Sequence, residues 1–446
     1  MNIYLHVEIS LRELDSKLLL GVIAASRGHH VLISDISEIE RGLRRGILNP
    51  GIFHTKSITP SKHKINFHKK LIDKKFLVTS LDEEAGLQLT YVKLKEFLND
   101  RASKKTIRQS AAVFCWGNDD FKILKDINSK NKSNIIKTGS PRVDLWKSTF
   151  LNYWGKPNKK PKKPFLLISS SMGSNGIQSF SEVIRMHRDL GYFERNPLLF
   201  NELFEKRARD VLKTSDFIEA IKHLAKNNNK YDIVFRPHPT EDINIWKFYL
   251  RGMSNVHVIQ EGSITVWINN AFAVMHNGCT TALETLFIGK PLITYLPSKR
   301  KYKMNLPNKL GFQINSLKKL NEKVNFLLKN SKSKNKIRYK KIPKLISQRI
   351  YSDNDELASV KIIKEWERLY KNNFHLTTNW KKLYLLLKMT TIKNKFITKY
   401  KNWKFPPLNE NDINERVKRI KHVLKIKSKI DCEIISDRAI LIRKNT

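Results

Sequence analysis

Acidic residues are scarce in this chain. Its 446 residues carry 41 Asp and Glu against 84 Lys and Arg, a formal net charge of +43. Such an excess attracts anions: phosphorylated ligands, nucleic acid or an acidic membrane face. Lys, Asn and Ile are abundant throughout, and an A+T-rich gene accounts for part of that excess. Cysteine is scarcer still. Cys115, Cys279 and Cys432 stand far apart, which excludes a disulfide framework and a cysteine-based metal site and fits a reducing cytoplasm. No apolar run approaches the roughly 18 residues a membrane-spanning helix needs. The opening "MNIYLHVEISLREL" has no basic region followed by an apolar stretch, so no signal peptide is expected. There is no dinucleotide GxGxxG, no Walker pattern and no nucleophile elbow. His29, His30, His63 and His68 lack ligand partners at useful spacing, so no metal is expected.

What is present is a folding chain. With 40% hydrophobic and 10% aromatic residues it can bury real cores, and its length allows two or three domains. The first 150 residues alternate strand-like and helix-like pieces. "NIYLHVEI" reads as a strand, and Leu14, Leu18, Val22 and Ala25 then fall at helical spacing until Gly28 closes the helix. Further strands are expected at "HHVLISD", "GIFHTKSI", "FLVTS", "AVFCWG" and "IIKTGSP". This βαβα order predicts a parallel sheet with helices on both faces. Residues 1–152 are therefore a first Rossmann-like domain. "YWGKPNKKPKKP", within 153–164, is proline- and lysine-rich without periodicity and reads as a linker. The pattern restarts at "FLLISSSMGSNG" and continues through "DIVFRP", "NVHVIQ", "FAVMHNG" and "PLITYLP", giving a second Rossmann-like domain over 165–370. Residues 371–446 form a basic extension, expected to be helical, with interleaved aromatics.

The candidate motifs sit where strands end, which is where open α/β sheets bind ligands. In "VFRPHPTED" a strand ends on Arg236, and Pro237 and Pro239 fix the backbone around His238. Both side chains can donate to phosphate oxygens. In "HNGCTTALETLFIGKP" a strand ends at His276, Asn277 and Gly278 turn the chain, and a helix starts near Thr280. Gly278 allows close backbone approach, and the free N–H groups of the first turn with the Thr280 and Thr281 hydroxyls form an anion site. Glu284, one turn inside, can accept from sugar hydroxyls. Plain capping by threonine is the simpler alternative. Ser170 and Ser171, in "SSSMGSNG", can line a phosphate pocket. In "TSLDEEAGLQ", Asp82, Glu83 and Glu84 follow a strand end, and one of them can serve as a general base if burial raises its pKa. An acidic helix start explains the cluster equally well. "RELD" follows the first strand and faces the same way, and "GSPRVD" ends the first half with a turn.

At "GHHVLISD", "RPHPTED" and "HNGCTTALETLFIGKP" the chain resembles the GT-B glycosyltransferases of bacterial surface polysaccharide assembly, and more narrowly the surface carbohydrate biosynthesis proteins. "RELDSKLLL", "SLDEEAG" and "GSPRVD" carry the same resemblance, which spans about residues 1–370. The His-Pro motif is similar to that of bacterial sialyl- and Kdo-transferases and of CDP-glycerol glycerophosphotransferases. There it implies a histidine, here His238, on the phosphate of a cytidine nucleotide donor, and hydroxyls at Thr280 and Thr281. Sialyltransferases carry an acidic-acidic-Gly base motif; here Ala85 interrupts it. The G-x-T-T-x-x-E pattern also resembles UDP-sugar transferases, whose glutamate, here Glu284, contacts sugar or ribose.

The resemblance implies a GT-B-like α/β fold, two doubly wound domains facing across a cleft. It implies transfer of a sugar from a nucleotide-sugar donor, a CMP-sugar or similar, to a carbohydrate or lipid-linked acceptor. The donor is a substrate, and no cofactor is expected. In that reading Arg236, His238 and the Thr280 helix neutralise charge on the departing phosphate. A carboxylate among Asp82, Glu83 and Glu84 deprotonates the acceptor. The protein is then cytoplasmic, and the tail docks it on the anionic inner membrane face with Trp380, Tyr384 and Trp403 at headgroup level. A nucleotide-sugar 2-epimerase of the same architecture is a rival, as is a basic nucleic-acid-binding protein, although no nucleic-acid module is present and no nucleic-acid partner is expected.

Overall fold

The computed structural model describes residues 1–84, 87–128, 133–173, 176–189, 191–297, 305–331, 344–353, 355–370, 378–394 and 404–445. The chain divides into two compact units. Unit 1 comprises Met1–Tyr153 with Ile342–Thr446, and unit 2 is Trp154–Lys341.

Unit 1 is built on strands β1 (Asn2–His6), β2 (His30–Ser34), β3 (Ile52–Thr55), β4 (Leu77–Leu81), β5 (Ala112–Cys115) and β6 (Ile135–Lys137). They are parallel, in the order β2-β1-β3-β4-β5-β6. The order reverses between β1 and β3, so that switch point is where loops part and leave a crevice at the strands' carboxyl ends. The strands are buried on both sides, which is why they read as continuous apolar runs rather than alternating ones. The helix Ser10–Ser26 ends on Arg27, and Gly28 follows with φ +89°, a conformation glycine takes without Cβ strain.

Unit 2 carries β7 (Phe165–Ser169), β8 (Asp232–Arg236), β9 (Val256–Val258), β10 (Ala273–His276), β11 (Leu292–Tyr295) and β12 (Phe312–Ile314), all parallel, in the order β12-β11-β10-β7-β8-β9. Counted within the unit, that is 6-5-4-1-2-3, the Rossmann order, with its switch point between β7 and β10. Its core joins Leu166, Ile168, Phe217, Ile221, Ile233, Phe235, Trp246 and Met275.

Two boundaries differ from expectation. The helix Ala358–Tyr370 belongs to unit 1, not to the second domain. Asp144, at the end of "GSPRVD", accepts from the N–H of Ala358 (3.1 Å) and of Ser359 (2.8 Å) and from the Ser359 hydroxyl (2.7 Å). It therefore caps the start of that helix and satisfies orphan donors that a helix end cannot satisfy alone. Trp366 then buries its ring and donates to Thr79 Oγ1 at 3.1 Å. The chain after 371 is likewise part of unit 1. It holds the helices Trp380–Asn394 and Glu410–Val423 and also a hairpin, β13 (Ile430–Ser436) and β14 (Ala439–Lys444). β14 pairs antiparallel with β2 and carries the first sheet to eight strands. Leu383, Leu387, Ile435 and Leu441 share one core with Tyr4, Leu32 and Phe53. The continuous apolar run Ala439 to Ile442 in "AILIRK" is the sequence signal for β14. Basic composition masked it.

Candidate functional site

Each switch point gathers the motifs of its own unit. In unit 2, Ser169 ends β7 and its hydroxyl lies 3.0 Å from the Cys279 thiol, in the turn after β10. Asn277 and Gly278 form that turn. Gly278 has φ +119°, and a Cβ there would come 2.9 Å from the Asn308 side chain, so glycine is required twice over. Asn308 donates to the Asn277 carbonyl (3.1 Å) and Asn305 to the Gly278 carbonyl (2.7 Å). His276 Nδ1 accepts the Gly278 N–H at 2.9 Å, and its Nε2 lies 2.7 Å from Thr294 Oγ1. Burial lowers its pKa to about 3, so the ring is neutral and serves as a fixed brace.

This bracing leaves the Asn277 side chain in an unusual state. It is only 8% exposed, yet neither its amide nitrogen nor its oxygen has a hydrogen-bond partner among the described residues. Unmade hydrogen bonds of this kind cost about 1–3 kcal/mol. The helix Thr281–Ile288 starts immediately beyond, with Thr280 at its N-cap and no side-chain cap bond. Its positive dipole end therefore adjoins the unpaired amide, but its first-turn N–H groups are not free as expected: those of Ala282, Leu283 and Glu284 donate to the carbonyls of Cys279 and Thr280.

His238 lies two residues beyond β8. Its Nδ1 accepts the Thr240 N–H (3.2 Å) and is 2.7 Å from Thr240 Oγ1. That fixes the tautomer: Nε2 carries the proton and is a donor. β8 and β10 both flank β7, so with strands about 4.8 Å apart their ends are roughly 10 Å apart.

Three other expected ligands are committed elsewhere. Arg236 is 5% exposed and donates to the backbone carbonyls of Glu261 and Gly262. Burial lowers its pKa to about 9, Glu261 only partly opposing. It closes the loop after β9 and packs over the Trp267 ring. Ser170 donates to Glu241, and the N–H groups of Met172 (2.9 Å) and Gly173 (3.3 Å) donate to the same carboxylate. Trp246 Nε1 adds a fourth bond at 2.8 Å. Glu241 thus fills the small-residue loop where a phosphate was expected. Glu284 is buried and accepts from Thr265 at 2.9 Å, which makes it a link between helices Ile264–Asn270 and Thr281–Ile288. Ser171 is exposed and Thr281 buried.

Unit 1 presents a different chemistry at its own switch point. Glu13, in the first turn of the helix after β1, is fully buried. Its carboxylate accepts the Glu8 N–H (2.8 Å) and an Arg12 N–H (2.8 Å). Burial first, and then the neighbouring Glu83, push its pKa up to about 7, with Arg12 and Lys17 pulling the other way. Glu83 receives Lys17 Nζ at 2.6 Å, and its Oε2 has no partner among the described residues. Burial acts to raise its pKa, but Lys17, Arg142 and Arg12 outweigh that and hold it below the usual range. The two carboxyls titrate as a pair, Glu13 raised and Glu83 lowered. Asp82 is locked bidentately by Arg101 at 2.7 and 2.8 Å. Glu84 is largely exposed, 3.1 Å from Arg101. Ala85 lies outside the described residues. Of the three acids, only Glu83 joins the buried cluster. Glu13 was contained in "RELD", but nothing in the spacing distinguishes it from Asp15; the signal would have been an acid one turn after a strand end, beside a lysine one turn later.

No family model matches the chain, and no curated protein does. Solved structures with similar folds include the UDP-GlcNAc 2-epimerase of Methanocaldococcus jannaschii (12% identity, 82% of this chain and 99% of that one, TM-score 0.47). Another is S. aureus MnaA with UDP (13%, 82% and 97%, 0.44). A third is the wall teichoic acid polymerase TagF (11%, 76% and 86%, 0.39). At these values the likeness assigns no activity, so the functional reading depends on the site's own residues.

Proposed function

We propose that the protein is a nucleotide-sugar-dependent transferase of the GT-B kind acting in surface carbohydrate synthesis. Unit 2 holds the nucleotide and unit 1 supplies the base. The observation that carries this reading is the buried, unpaired Asn277 amide at the switch point of a Rossmann-ordered sheet. A group that both donates and accepts, placed beside the positive dipole end of a helix, matches a ligand carrying hydroxyls and phosphate together. The Nε2–H of His238, about two strands away, suits the far end of a diphosphate or the leaving phosphate of a CMP-sugar. Such donors, aimed where negative charge grows, lower the barrier to departure.

The carboxyl pair of unit 1 supports the second half of the reaction. A general base works best with a pKa near working pH, and Glu13 has that value with Glu83 held ionised beside it. This narrows the acids at 82–84 to Glu83 and adds Glu13 as its partner. A thermal-shift screen of the whole chain with CMP, CDP, UDP and GDP tests the nucleotide site, since a ligand at a hundred times its Kd stabilises by about 2.7 kcal/mol. One nucleotide is expected to raise the Tm of the wild type and to raise that of His238→Ala far less. No shift with any of the four, or an equal shift in the variant, contradicts the proposal. A sugar product released with no acceptor present would move the assignment to an epimerase.

A further inference from the structure

The helix Trp380–Asn394 was expected to place aromatics toward a membrane. The structure turns them inward. Trp380 stacks on His30 and lies against Tyr4, and Tyr384 packs on the unit 1 core. Trp403 lies outside the described residues. Leu383 and Leu387 are fully buried. The outward face is Lys381, Lys382, Leu385, Lys388 and Met389, all exposed, with Leu385 at 60% and Met389 at 66%. Spacings of one, four, seven and eight residues put them on one stripe. The helix sequence contains no acid.

The neighbouring helix Ile36–Arg44 continues that charge. Arg41, Arg44 and Arg45 line a groove of about 480 Å³ together with Leu386 of the first helix. Arg44 also borders a second groove of about 680 Å³ with Lys70, Lys74, Phe67, Glu40 and Asp73. Arg44, Arg45, Lys70 and Lys74 are exposed.

We infer that this face of unit 1 docks on an anionic lipid bilayer, with Leu385 and Met389 entering the headgroup layer and the surrounding lysines and arginines meeting lipid phosphates. Long basic side chains keep their charge in the headgroups while their stems cover apolar surface, and two exposed aliphatics within a ring of cations suit an interfacial helix. A polynucleotide would satisfy the charge but give Leu385 and Met389 nothing to bury against, and the aromatics that would stack on bases face the core. The inference is independent of the transferase reading.

The test is co-sedimentation of the full chain with vesicles of phosphatidylcholine alone and with 30% phosphatidylglycerol. Binding is expected only to the anionic vesicles and is expected to weaken with salt. Replacing Arg44, Arg45 and Lys388 with glutamine should weaken it roughly 100-fold, since each basic residue at an anionic surface contributes about a factor of five. The double variant Leu385→Ser, Met389→Ser should lose binding that remains at high salt. All these positions are exposed, so an unchanged Tm serves as the folding control. Equal binding to neutral vesicles, no vesicle binding, unaltered binding by the variants, preferential RNA binding through the same arginines, or a change in oligomeric state in the Leu385/Met389 variant without vesicle binding would each overturn it.

Discussion

The two units use one architecture and treat charge in opposite ways. At the switch point of unit 1, carboxylates, lysines and histidines are buried together. Besides the Glu13/Glu83 pair, burial lowers the pKa of Lys64 to about 8 with help from Lys56, and His6 is held well below its ordinary value by burial and by Lys56, Lys64 and Lys17. In unit 2 the buried charges are neutralised within the fold: Arg236 by two carbonyls, Glu241 by a hydroxyl, two backbone N–H groups and an indole. At its strand ends stand the His238 ring, the Asn277 amide and a helix start. In the proposed reading the first site moves a proton and the second receives an anion.

The largest effect expected from breaking this contrast is in unit 1. Glu13→Gln should cut transfer by about 10²- to 10⁴-fold, as loss of a general base does. The stability sign is also fixed. A carboxyl whose pKa rises on folding from 4.5 to about 7 contributes stability that is complete below pH 4.5 and lost as pH climbs through 7. Glu13→Gln should therefore raise the Tm at pH 8 and leave it little changed at pH 5. A thermal melt at the two pH values checks this, and a loss of Tm at pH 8 would make Glu13 structural.

In unit 2 the contrast predicts that Arg236 behaves as scaffold. Arg236→Ala should lower stability by about 2–3 kcal/mol, since two charge-assisted bonds are lost and two carbonyls left unpaired. Denaturant unfolding measures this. Smallest of all, Glu84→Gln should change neither Tm nor rate by more than about twofold, because exposed substitutions rarely exceed 0.5 kcal/mol.

Much of the frame was legible in the residues. The eleven strand segments expected from apolar runs in both halves are all present as β1 to β11, because buried parallel strands announce themselves by hydrophobicity alone. β12, β13 and β14 were missed. Phe312–Ile314 has Gln313 between its two apolar residues, so no apolar run marks it, and the hairpin joins the sheet by pairing residues 439–442 with residues 31–34, a pairing across four hundred residues that local patterning does not encode. The site was legible as location and less so as role. Strand ends at 238, 277 and 83 were found from turn chemistry. That Arg236, Ser170 and Glu284 would be consumed by internal partners depends on which loop reaches them, and this emerges only once Glu241, Glu261 and Thr265 are placed.

The central claim is that the unpaired Asn277 amide awaits a nucleotide. It is tested most directly by calorimetric titration of wild type and Asn277→Leu with the nucleotide that gives the largest thermal shift. The leucine removes a buried polar group with no partner, so the ligand-free Tm should hold or rise, while nucleotide affinity falls roughly 10- to 100-fold. Equal affinity in the two proteins, or a leucine variant that is destabilised without ligand, would contradict the account.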